Sequence, residues 1–167
     1  MTATAEKRGK IQRWIIQPIL NQLKRGITPE KLSWTIALGI TLGIFPIMGS
    51  TSLICFAAGW IFKLNQPILH LFKTLTYPLH LALILVFIRL GQHLNGVPPI
   101  PFSIPEMMNQ FKDSPTQFAK DFGMAAWYGI EAWFLSALIL IPILRAISLP
   151  LLKKLPRKLQ SSPQASD

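Results

Sequence analysis

The sequence predicts an all-α membrane protein, and three observations predict it. Half of the 167 residues are hydrophobic and 14% are charged, against roughly 25% charged in ordinary soluble domains. The apolar residues are gathered into runs: Leu32 to Phe62 and Thr74 to Ile88 carry no charge, and Phe122 to Leu144 carries only Glu131. A helix needs about 20 such residues to cross the hydrocarbon layer. The net charge of +10 is concentrated at the two ends. The expected architecture is a broken or re-entrant helical hairpin, two clear transmembrane helices and an N-terminal interfacial amphipathic helix.

Residues 1–27 form a basic amphipathic leader. Ile11, Trp14, Ile15, Ile19 and Leu23 recur at helical spacing, with Lys10, Arg13, Gln17, Asn21 and Lys24 around them. That pattern suits a helix lying on a membrane surface, bent or shortened by Pro18. No signal peptide is expected, because the first long apolar run begins only at Leu32 with no small-residue cleavage site behind it.

Residues 28–96 form the core of the membrane domain. Thr28 is a suitable N-cap and Pro29 a suitable first helical residue, so a helix is predicted from Pro29 to Ile44 and a second from Ser50 to Phe62. As one straight helix the uncharged run would measure about 46 Å, too long for a core of roughly 30 Å. Pro46, Gly49, Ser50 and Thr51 supply breaking and turn chemistry between the halves and are the predicted hairpin tip. Charge parity favours a hairpin that returns to its own side. Lys63 and Lys73 then share a side with the basic leader, and the span Tyr77–Leu94 crosses outward. A hairpin of two full crossings has the same parity. Tight packing explains the glycines of the hairpin; a wet, substrate-facing tip is the other reading.

Residues 97–121 read as a Pro-rich external loop with a short amphipathic helix over Pro105–Phe111. Ser114-Pro115-Thr116-Gln117 has the composition of a helix start. Residues 122–150 are the final transmembrane helix, and 151–167 a basic, disordered tail. Both termini are expected on the cytoplasmic side of the membrane.

Lys63, Gln66, His70, Lys73, Tyr77 and His80 are spaced three or four apart, so a continuous helix would put them on one face, with Pro78 a place where the register can break before His80. They are the candidate contacts for a substrate or an anionic lipid headgroup. A polar face turned to water is the plainer alternative. Arg89 and Glu131 are charges inside apolar spans, and such charges are usually paired or functional; an Arg89–Glu131 ion pair is one reading, and snorkelling of Arg89 to the surface is the equal alternative.

His70, His80 and His93 form no metal motif with carboxylates or cysteines, and no phosphate loop, nucleophile elbow or carboxylate pair is present. A non-enzymatic protein without a cofactor is expected. Cys55 is the single cysteine, which excludes an intrachain disulfide. The basic residues are not interleaved with aromatics on a nucleic-acid-binding motif, so anionic lipids are the expected partners, with a homo-oligomer beside them.

The block from Thr28 to Asn95 resembles the domain-of-unknown-function family numbered 2062 (DUF2062), bacterial integral membrane proteins. The resemblance lies in Thr28-Pro29, Ala37-Leu38-Gly39, Gly43, Pro46-Ile47-Met48-Gly49 and Lys63-Leu64-Asn65. Tyr77-Pro78 stands where that family commonly has Asn-Pro. The resemblance implies a membrane-embedded fold at the bacterial inner membrane and, for some members, a link to envelope glycan synthesis. An accessory or scaffolding role in envelope lipid or glycan biogenesis is therefore expected, with an envelope-biogenesis membrane protein as a partner. The alternative is a small oligomeric transporter or lipid-translocating protein with its site at the hairpin.

Overall fold

A computed structural model describes residues 12–99 and 103–160. Residues 1–11, 100–102 and 161–167 lie outside it, and with them the start of the basic leader, part of the Pro-rich loop and the end of the tail. The described residues are helical, with no strand among them. A π-helical turn, Gln12–Ile16, leads into α1 (Gln17–Lys24). There follow α2 (Pro29–Gly43), α3 (Thr51–Ile61), α4 (Gln66–Leu75), α5 (Tyr77–Leu94), α6 (Ile104–Asp113) and α7 (Pro115–Gln160).

Local chemistry sets most boundaries. The Thr28 hydroxyl accepts from Lys31 N at 3.3 Å and Pro29 opens α2. Asn65 Oδ1 caps α4 by accepting from Ile68 N at 3.1 Å. Ser103 and Ser114 cap α6 and α7 in the same way. Pro18 is the second residue of α1 and follows the π-helical turn directly, so its missing N–H falls where the chain changes from π to α geometry, and the regular α-helix is short.

α2 is the central helix. It is apolar around most of its circumference, as a buried helix must be, and packs against α4 on one side and α7 on the other. Gly39 and Gly43 permit the first contact: a Cβ on Gly39 would lie 2.8 Å from the Leu69 carbonyl oxygen. Gly39 meets Leu69 and Phe72, and Gly43 meets Lys73 and Thr76, so α2 and α4 run parallel. α3 meets α4 the opposite way, with Ser52 beside Lys73 and Phe56 beside Gln66. Hence α2 and α3 form an antiparallel hairpin closed by residues 44–50. α7 is antiparallel to α2, with Lys153 at Glu30, Arg145 at Trp34 and Trp133 at Thr41.

Three apolar clusters stack along this axis. Ile19, Leu32, Ile36, Ile68 and Leu152 fill the end that carries the helix starts of α2 and α4. Leu42, Cys55 and Leu69 follow, and Ile44, Phe87 and Ala132 fill the level of the hairpin tip. The π-helical turn joins the first cluster through Ile15, and α1 through Ile19 and Leu23.

Two elements depart from the sequence reading. The stripe from Lys63 to His80 does not lie on one continuous helix: Lys63 is in the turn before α4, and the chain is interrupted at Thr76, beside Pro78, where the sequence already marks a break in register. The Thr76 hydroxyl donates to the Phe72 and Lys73 carbonyls, at 3.1 and 2.8 Å, and Pro78 has no N–H to continue the ladder. The last helix starts at the Ser114 cap, as expected, but does not stop at Pro150: it continues to Gln160. An interior proline removes one hydrogen bond and strains the turn before it. Burial of Leu152 and the Glu30–Lys153 contact hold the turns beyond Pro150 in place.

Candidate functional site

The predicted polar stripe divides into three settings. Lys63 sits in the α3–α4 turn, exposed and with φ at +50°. With Gly59, Trp60 and Gln66 it lines an open groove of about 620 Å³. Gln66 and Lys73 turn onto α3. Gln66 Nε2 donates to the Phe56 carbonyl at 3.0 Å, while its Oε1 is buried without a hydrogen-bond partner. Lys73 Nζ donates to Ser52 Oγ at 2.7 Å, which with its contact at Gly43 places Lys73 near the hairpin tip and not at the basic end with Lys63, where charge parity predicts it. These two bonds lie about two turns apart and seal the α3–α4 interface at both ends. His70 lies between them, half-buried.

Beyond the interruption at Thr76, Tyr77 is exposed while His80 is only 2% exposed. Their rings stack with centroids 6.0 Å apart. His80 shares a face of α5 with Leu83 and Phe87, which pack against Ile44 at the hairpin tip and Ala132 of α7. Its Nδ1 has no partner. The six residues thus do not form one open face. Two are committed to helix–helix contacts, one is buried beneath the tip, and three reach solvent to different degrees.

At the tip, Pro46 is buried against Gly129 of α7. Gly49 turns the chain with φ at +85°, a backbone region that disfavours residues with a Cβ. Ser50 Oγ donates to the Ile47 carbonyl at 2.9 Å, and Thr51 begins α3. The tip is therefore a closed turn packed against the middle of α7. Thr41 Oγ1, one turn below it, is buried without a partner, and so are both amide atoms of Gln92 on α5.

Glu131 accepts a hydrogen bond from Asn95 Nδ2 at 2.8 Å, across the α5–α7 contact. Arg89 lies on the same helix as Asn95, in the stretch that packs on α7: Ile88 meets Gly129, and a Cβ on Gly91 would overlap the Tyr128 carbonyl. Asn95 was not singled out by sequence. Nor were Gln22, which accepts from Asn65 Nδ2 at 2.9 Å, or the Trp34–Arg145 pair, whose guanidinium carbon sits 4.6 Å from the ring centroid. An Arg and a Trp far apart in sequence give no local pattern, so no signal in the chain marked that pair. Among the described residues, no three His, Cys, Asp or Glu side chains are grouped to hold a metal ion.

The family model described as "Uncharacterized protein conserved in bacteria (DUF2062)" matches residues 12–161. No curated protein and no solved structure matches the chain.

Proposed function

The chain belongs to the DUF2062 family, and on that premise we propose that it is a non-enzymatic, multi-pass protein of the bacterial inner membrane. It acts there as an accessory or scaffolding component of envelope lipid or glycan biogenesis. One observation carries the membrane assignment. α5 and α7 each contain an eighteen-residue apolar window long enough to cross a bilayer, yet only 28% and 11% of those windows is buried in the fold. The core helix of a soluble protein would be mostly covered. Here Leu85, Val86, Trp127, Phe134, Leu138 and Ile139 face outward, and α3 adds Leu53 and Trp60, 72% and 76% exposed. A bilayer removes that surface from water; contiguous apolar area of this extent otherwise drives association.

The placement of charge supports the orientation. Lys31, Lys63, Lys153 and Lys154 gather at the end of the bundle where α2 and α4 begin, which suits a cytoplasmic side. With both feet of the α2–α3 hairpin at that end and its tip against mid-α7, a re-entrant hairpin is the reading we adopt. The scaffolding role is favoured by the use of Gln66 and Lys73 to close α3 on α4, which leaves no continuous polar path along the stripe. A second reading, lipid translocation, is favoured by Thr41, His80 and Gln92, whose buried polar atoms could serve an internal wet path.

Cysteine labelling tests the topology. Cys55 is replaced, and Ser50→Cys, Lys63→Cys, Ser103→Cys and Ser161→Cys are probed in intact cells with an impermeant maleimide. Labelling of Ser103→Cys alone is expected. Labelling at Lys63→Cys as well would mean that the hairpin crosses once, and the re-entrant reading would fail. Dithionite bleaching of fluorescent phospholipid in proteoliposomes separates the two functions. Accelerated loss of inner-leaflet signal that His80→Phe abolishes would favour translocation; an unchanged rate leaves scaffolding.

A further inference from the structure

At the basic end of the bundle a groove of about 660 Å³ opens between the start of α2, the α3–α4 turn and α7. Its walls change character along the axis. Thr28, Glu30 and Lys31 stand at its mouth, and Trp34, Leu38, Phe62, Leu64 and Ile141 continue inward. The volume lies in the range that holds a small molecule or a lipid segment. No drug-like pattern of convergent polar groups lines it; the polar groups are confined to one end.

The charges at that end do not cancel. Glu30 is engaged by Lys153 Nζ at 3.0 Å. The Lys31 ammonium has no side-chain partner among the described residues. Arg145 lies one turn from Ile141 on the same face of α7 and is held over the Trp34 ring at 4.6 Å. Its Nε is buried without a hydrogen-bond partner. Lys31 is also the last charge before the uncharged run that starts at Leu32. On the membrane reading proposed above, on which this inference rests, Lys31 and Arg145 stand at headgroup level. Trp34 then belongs to the interfacial aromatic belt.

We infer that this groove binds one anionic glycerophospholipid of the surrounding bilayer, its phosphate between Lys31 and Arg145 and an acyl chain along Leu38 and Ile141. Three features select this occupant. The cationic mouth favours a phosphate, and basic pockets between helices at the cytoplasmic surface are suited to anionic headgroups. Arg145 is held by its aromatic partner with donors to spare, so little side-chain freedom is lost on binding. The apolar walls are half-exposed, Trp34 at 40% and Phe62 at 61%, and so are accessible to a lipid already in the membrane. A soluble phosphate would leave those walls unfilled. The site is separate from the Gln66–Lys73 seam, so lipid occupancy would bridge α2, α7 and the α3–α4 turn.

The test uses the full chain in phosphatidylcholine vesicles. Either phosphatidylglycerol or phosphatidylcholine with brominated chains is added at the same mole fraction, and tryptophan emission is read. Brominated phosphatidylglycerol is expected to quench more than brominated phosphatidylcholine. That excess disappears in Trp34→Phe and in Lys31→Gln, and Lys31→Arg restores it. In detergent, native mass spectrometry is expected to find one retained phosphatidylglycerol, with retention lowered about fivefold by Lys31→Gln. Equal quenching by the two lipids in the wild type, with no preferential retention, overturns the lipid site while leaving membrane insertion standing. Emission untouched by either lipid overturns both, because Trp60 and Trp127 would then also lie outside the bilayer.

Discussion

The indole N–H of Trp133 donates a hydrogen bond to the Thr41 carbonyl across 3.0 Å, tying the middle of α7 to the last turn of α2. The acceptor is free because α2 ends there. Phe45 N, which would continue the ladder to Thr41, bonds the Leu42 carbonyl instead at 3.2 Å, and Pro46 has no N–H to offer. Phe45 packs edge-on against the same indole, with centroids 4.9 Å apart. The break in the uncharged run thus creates an unsatisfied group, and a residue 92 positions away satisfies it.

Trp133→Phe keeps most of the ring packing and removes the donor. A buried carbonyl left unpaired costs about 1–2 kcal/mol. The thermal unfolding midpoint of the purified protein should fall accordingly, while Trp127→Phe, on the exposed face of α7, leaves it unchanged. Equal midpoints for the two variants would remove the Thr41 contact from the account.

Gly91→Ala and Gly123→Ala make opposite predictions on neighbouring helices. A Cβ at residue 91 overlaps the backbone of Tyr128, whereas none of the surroundings of Gly123 lies within 4 Å. Backbone cannot yield as a flexible side chain does, so Gly91→Ala should cost about 1–3 kcal/mol or more by forcing α5 off α7. Gly123→Ala should be neutral or stabilising by up to about 1 kcal/mol through helix propensity. Denaturation curves of the two variants in one detergent decide it.

Asn65 performs two tasks, capping α4 and holding Gln22 of α1. Asn65→Ala should lose about 1 kcal/mol from the cap and also release α1. Gln22→Ala should release α1 alone. Limited proteolysis between α1 and α2 should accelerate in both variants, and the unfolding midpoint should drop clearly only in the first.

Glu30 has its carboxyl held below the ordinary value of 4.5 by a backbone hydrogen bond first and the Lys153 partner second. The sign follows from linkage: the unfolded chain takes up its proton at higher pH than the folded one. The stabilisation is therefore complete above the ordinary carboxylate value and disappears as pH falls through the lowered one. A scan of unfolding midpoint from neutral to acid should bring wild type down toward Glu30→Gln only below about pH 4.5. Because the pair is exposed, added salt should shrink the difference at neutral pH.

Signals confined to a few adjacent residues were read correctly. Thr28-Pro29 opens α2, Pro46 to Thr51 separates two helices, Ser114-Pro115 starts α7, and the span Tyr77–Leu94 has the bounds expected of it. The polar stripe was visible as a spacing, but spacing says only which residues share a helix face. It could not tell that Gln66 and Lys73 would face α3, or that an interruption at Thr76 would leave Tyr77 outside and His80 inside.

What the sequence determined by itself is therefore local and periodic: where helices begin, which runs are apolar and of bilayer length, and where the charge collects. Hydrogen-bond capping, the missing N–H of proline and the period of the helix act over one or two turns, so the chain carries them openly. Only the tertiary structure decided what each face meets. It set Trp133 on Thr41, Gly91 on Tyr128 and Arg145 on Trp34, and it carried α7 beyond Pro150 because Leu152 and Lys153 find partners there. Those outcomes depend on close approach between distant segments, where a single Cβ or one freed carbonyl selects the neighbour, and no local pattern encodes them.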